Sequence, residues 1–148
     1  MSTLRVDSIR GQTADGTNRY VVQVVSVEYG TETVSTSSTL ADTGLTASIT
    51  PSSASNKVLV LVSQSAKALD GAGRMNLLRG STSLEEQYFG ESEGGDWYGK
   101  INVVKLDSPA TTSSVTYKTQ QRTNGAASVG VNSPILNSCT MTLMEIAQ

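Results

Sequence analysis

The stretch DTGLTASITPSSASNKVLVLV, Asp42 to Val62, decides the fold class. Leu45, Ala47 and Ile49 recur at period two, the spacing that puts alternate side chains on one face of a strand. Pro51 stops the run, because it carries no N–H for a β ladder. The small hydroxyl-bearing residues that follow can hydrogen-bond their own backbone, so SSASN reads as a tight turn. Lys57–Ala66, KVLVLVSQSA, is then nearly all apolar and rich in Val, which predicts a strand with neighbours on both sides.

Working outward, the same grammar repeats. YVVQVVSVEYG (Tyr20–Gly30) predicts a strand whose two faces are both apolar near its start, with Tyr20, Val22 and Val24 on one face. One face would pack in a core and the other would meet a neighbour. Val34, Thr36, Ser38 and Leu40 alternate as in a half-exposed strand. Further strands are predicted over Met75–Arg79, Ser83–Phe89 and Lys100–Leu106. Val115, Tyr117, Thr119 and Gln121 mark another, followed by a short one in SVGV. CTMTLMEIA closes the chain, with Cys139, Met141, Leu143 and Glu145 alternating against Thr140, Thr142, Met144 and Ile146. Asp70-Gly71 and Asn124-Gly125 are hairpin signals. Eight to ten short antiparallel strands at this spacing predict an all-β fold, a β-sandwich of jelly-roll type.

Composition agrees. Ser and Thr fill 39 of the 148 positions and Val another 15, a vocabulary of strands and turns. Residues 1–19 are polar with scattered apolar residues, and predict an extended arm ahead of a sandwich over 20–148. In that arm Leu4, Val6 and Ile9 are candidate apolar pegs, and Arg5 and Arg10 candidate polar clamps.

Charge and residue usage narrow the function classes. The 11 basic and 13 acidic residues leave a net charge of −2 with no Lys/Arg block, which argues against nucleic acid as a partner. No apolar run approaches a membrane span. The N-terminal residues lack the hydrophobic run of a secretory signal, which predicts synthesis in the cytoplasm. There is no histidine, so His-based acid–base chemistry, triads and metal ligation are all excluded. The expectation is a protein that is not an enzyme, with no catalytic residues, cofactor or metal. Cys139, the single cysteine, is predicted to be a buried, inert thiol.

The loop ESEGGDWYG gathers Glu91, Glu93 and Asp96 with Trp97 and Tyr98. Carboxylates beside one turn could hold Ca²⁺, but the spacing is that of no EF-hand and reads better as a solvated face. Trp97 has two readings: an aromatic exposed for a glycan or a partner, or the first residue of a strand turned into the core. Tyr88, Phe89 and Trp97 could form one cluster at one end of the sandwich.

Several strings taken together, STLRVDSIRG, VVQVVSVEYGTETVSTSSTLADTGLTASITPSSASNKVLVLVS, LLRGSTSL, KLDSPATTSSVTYKTQQR and TMTLMEIAQ, resemble a family of phage virion proteins. That family comprises capsid cement or decoration proteins and tail-fibre and tailspike tips, of cyanophage-like viruses. The resemblance covers nearly the whole chain and implies a β-sandwich, usually trimeric, without fixed catalytic residues. It implies a homotrimer on the outer capsid surface of the virion, gripping major capsid protein subunits through the arm and reinforcing the shell. Loop 91–99 would be available to host-surface glycans. The alternative is a short tail-fibre or receptor-binding tip. A compact head with an arm, lacking heptads or a β-helix repeat for a shaft, favours the decoration protein.

Overall fold

The computed structural model describes residues 19–90, 95–132 and 139–148. The arm residues Leu4, Arg5, Val6, Ile9 and Arg10, and Glu91 and Glu93 of the acidic loop, lie outside the described residues. Within them the chain is all-β, with ten strands in two antiparallel sheets.

The larger sheet is built on β4 (Lys57–Leu69), the 13-residue apolar run. One edge of β4 pairs along almost its whole length with β7 (Trp97–Asp107). The other edge is shared. Its first half pairs with β10 (Cys139–Ile146) and its second with β9 (Ser128–Val131). β1 (Val21–Tyr29) lies outside β10, and the short β2 (Thr33–Ser35) outside β9. The smaller sheet runs β3 (Ala41–Ile49), β8 (Val115–Thr123), β5 (Ala72–Arg79), β6 (Thr82–Gly90). The half-exposed strand expected through Leu40 is therefore only three residues long before the chain bends away.

The two sheets face each other as a sandwich. Leu45, Ala47 and Ile49 of β3 and Val115 and Tyr117 of β8 are buried against Val58, Val60 and Val62 of β4 and Met141 and Leu143 of β10. The period-two expectation holds along each of these strands. It holds in β1 too, where Val25, Val27 and Tyr29 pack on the core while Val22 and Val24 face out. Gly44, at the irregular pairing between Asp42 and Thr46, has φ of +89°, and a Cβ there would meet the Tyr29 ring at 2.5 Å. A glycine is needed to let the two sheets close at that corner.

Two turns differ from expectation. Asn124-Gly125 does not close a hairpin, because β8 and β9 belong to different sheets. Only Gly125 has positive φ, and the Asn124 and Ala126 N–H groups both donate to Ala72 O. Asp70-Gly71, both with positive φ, likewise carries the chain from β4 in one sheet to β5 in the other. Turn chemistry fixes the local bend. Which sheet the next strand joins is fixed by the core it must bury. The two-residue hairpin of this region is instead β5–β6, where Arg79 pairs with Thr82 around Gly80.

Candidate functional site

Two surfaces stand out once each strand's alternation is laid across its neighbours. The first is the outer face of the larger sheet. Val24 of β1 sits opposite Met144 of β10, Met144 opposite Leu59 of β4, and Leu59 opposite Leu106 of β7. That row is apolar across four strands. The next row joins Ser26, Thr142, Leu61 and Val104. On the other side lies Ile146, paired with Val21 and Lys57. Val104 is 70% exposed, Val24 55% and Leu106 51%. Singly exposed aliphatic residues are ordinary, but contiguous ones mark a contact surface. Further along, the face turns polar at Glu28, Thr140, Ser63 and Asn102.

Tyr20, Val22 and Val24, expected as subunit-interface residues, are all exposed, and Val24 belongs to the apolar row. A pairing irregularity between Val21 and Gln23 leaves Val22 exposed beside Val21. Missing from the expected set were Val104 and Leu106 of β7 and Met144 and Ile146 of β10. Their signal was present in the sequence: VVKL and LMEI, like VLVLV, are apolar at both phases of a strand.

The second surface is the seam between β6 and β7, which are edge strands of opposite sheets. Lys105 Nζ bridges it, 3.1 Å from Glu85 Oε2. Phe89 and Trp97 meet across it, ring centroids 5.7 Å apart and tilted by 44°. A cleft of about 310 Å³ lies there, lined by Gln87, Phe89 and Trp97 and rimmed by Lys100 and Asn102. Trp97 begins β7, is half-buried, and packs on the core. Its six-membered ring lies over Gly99, where a Cβ would meet Cη2 at 2.7 Å. Tyr98, one residue on, points to the outer face of the sheet and is 48% exposed. The aromatic pair read together in the loop is thus split by strand alternation. Tyr88 also lines the cleft, with the Arg74 guanidinium 5.8 Å from its ring centre. Asp96 is exposed, and its Oδ1 accepts a hydrogen bond from Asp70 N at 3.2 Å.

Several other carboxylates are committed to structure. Glu86 pairs with Arg74 and Arg122, and no metal-holding cluster occurs among the described residues. Buried Glu145 accepts hydrogen bonds from Asn56 Nδ2, Gln23 Nε2, and the Ser52 N–H and hydroxyl. Burial pulls its pKa up, but these donors outweigh it and hold the carboxyl at about 2. Cys139 is buried, as expected, and its Sγ accepts from Ser65 N at 3.1 Å. No family model and no curated protein matches the chain.

Proposed function

We propose that this chain is a structural protein that works by self-assembly: copies pack through the apolar outer face of the larger sheet, as a homotrimer. The supporting observation is the Val24–Met144–Leu59–Leu106 row with its neighbours Leu61, Val104 and Ile146. Burying an exposed Val or Leu contributes about 1.5–3 kcal/mol per side chain before ordering costs, and several are aligned here. The rows carry no acid or base except Lys57 at their margin, so like faces can meet without charge repulsion.

The resemblance of its strings to phage virion proteins supplies the setting. The trimer decorates and reinforces the outer surface of a capsid, with residues 1–19 anchoring it to major capsid protein subunits. A short tail-fibre or receptor-binding tip is the second reading, favoured by the open β6–β7 cleft. Light scattering coupled to size exclusion tests the assembly. The expected mass is three times the 15.5-kDa chain, falling to the single chain in Val104→Glu with an unchanged circular dichroism spectrum. A wild-type mass of one chain at every concentration refutes it. Copy number per particle separates the two settings: hundreds for a decoration protein, a few for a tip.

A further inference from the structure

We infer that the β6–β7 cleft is a binding site for an acidic pyranose, a sugar ring bearing a carboxylate. The inference does not depend on the capsid setting or on trimer formation.

The argument starts from what the cleft presents. One wall is aromatic: the half-buried Trp97 indole, fixed between Phe89 and the Gly99 backbone. These contacts restrict the indole, so little rotamer entropy is left to lose when a ligand packs against the part of the ring that lines the cleft. Pyranoses present a flat patch of C–H groups to such a ring, and hydroxyls around its rim. Here the rim is supplied by the Gln87 amide, the Asn102 amide and the Lys100 ammonium.

Availability distinguishes these groups. Lys105, five residues on from Lys100, is held by Glu85, and Arg74 and Arg122 by Glu86. Among the described residues Lys100 has no ion-pair partner and no carboxylate lines the cleft. Asn102 is exposed and its side chain has no hydrogen-bond partner among the described residues. An aromatic wall, the unpartnered Asn102 amide and an ammonium with no partner among the described residues match a polyhydroxylated ligand with a single negative charge, while the Gln87 Nε2 is already turned to Glu85 Oε1 at 3.4 Å. The volume, about 310 Å³, is at the small end of the range for ligand pockets and suits one sugar unit rather than an extended peptide. Unpaired backbone groups on the facing edges of β6 and β7 offer further donors and acceptors for ring hydroxyls.

The chain's single tryptophan makes the test direct, because Trp97 fluorescence reports on the cleft alone. Full-length protein would be titrated with glucuronic acid, N-acetylneuraminic acid and glucose. Saturation-transfer NMR on the sugar protons provides an independent readout. The expected result is a saturable response to at least one acidic sugar at millimolar concentration, weaker for glucose. Lys100→Gln should weaken it about tenfold, the effect of one charge-assisted hydrogen bond. Val104→Glu should leave it unchanged even where assembly is lost, so failure of the site and failure of the assembly are read separately. No saturable response to either acid overturns the inference, as does equal binding of glucose and glucuronate with no effect of Lys100→Gln.

Discussion

Asn56 and Glu145 are 89 residues apart in sequence, and the Asn56 side-chain amide donates a 2.6 Å hydrogen bond to the buried Glu145 carboxylate. Asn56 ends the turn between β3 and β4; Glu145 is next to last in β10. With Ser52 giving two bonds and Gln23 a fourth, one carboxylate pins the turn that separates the two sheets to the last strand and to edge strand β1. The lowered Glu145 pKa therefore becomes a dependence of stability on acid. A carboxyl whose folded pKa lies below its unfolded value stabilises the fold fully above the ordinary 4.5 and progressively less as pH falls toward about 2. Glu145→Gln should cost about 1–3 kcal/mol at neutral pH, because an amide turns N–H groups toward donors that need an acceptor. In thermal melts from pH 7 to 2 the variant should lose less stability than wild type below 4.5. Parallel curves would refute this account of the carboxylate.

Glu145 also shows how far this fold is readable without coordinates. A single acid on the inward phase of CTMTLMEIA is a visible anomaly. Its four hydrogen bonds come from residues 89 to 122 positions away, which no local pattern specifies. Leu45, Ala47, Ile49 and the Val58–Val62 run declared their strands because burial on a pleated surface imposes period two. Asn124-Gly125 misled because the same two residues serve a hairpin or a crossing between sheets. The apolar outer face was half legible: Val22 and Val24 announced it in β1, while Val104 and Leu106 emerge only when register places β7 beside β4. Trp97 and Phe89 are brought together by the meeting of two edge strands, a long-range fact.

Gly99→Ala tests how the indole is seated. The new methyl would fall within 2.7 Å of the Trp97 ring, and the ring cannot move inward past Phe89. Overpacking of this kind costs about 1–3 kcal/mol. The indole should swing toward solvent, so its emission should shift to the red as stability falls. An emission maximum identical to wild type would mean that the ring is not held against this backbone.

The Cys139 thiol gives a probe of the opposite kind. It is fully buried, its sulfur 3.1 Å from the Ser65 amide nitrogen and 3.2 Å from its hydroxyl, in the middle of the larger sheet. A thiol with no route to solvent reacts only through opening of the fold. A disulfide-exchange reagent should label the native protein negligibly on the timescale that modifies free cysteine, and one thiol per chain in guanidinium. Rapid native labelling would place the β10–β4 pairing among the first contacts to open.

Asp107 supplies the tie between sheets at the other side of the sandwich. It ends β7 of the larger sheet, and its carboxylate accepts from Tyr117 Oη of β8 at 2.7 Å and from Arg79 Nη1 of β5 at 2.8 and 2.9 Å. Arg79 also donates to Ser108 O at 3.1 Å. Burial, reinforced by the Asp107 hydrogen bond, drives the Tyr117 pKa above its ordinary range, so the phenol stays a donor through alkaline pH. Tyr117→Phe leaves Asp107 still paired to Arg79 and should cost about 1 kcal/mol. Arg79→Ala strips the charge partner from a carboxylate that is only 9% exposed and should cost more, about 2–3 kcal/mol. With the shared carboxylate removed in Asp107→Leu, replacing Tyr117 or Arg79 should have a different effect from that in wild type. Coupling of about 1 kcal/mol in a double-mutant cycle by urea denaturation is the expected sign of one three-residue clamp. Simple additivity of Tyr117→Phe and Asp107→Leu would mean that the two sheets are held here by packing alone.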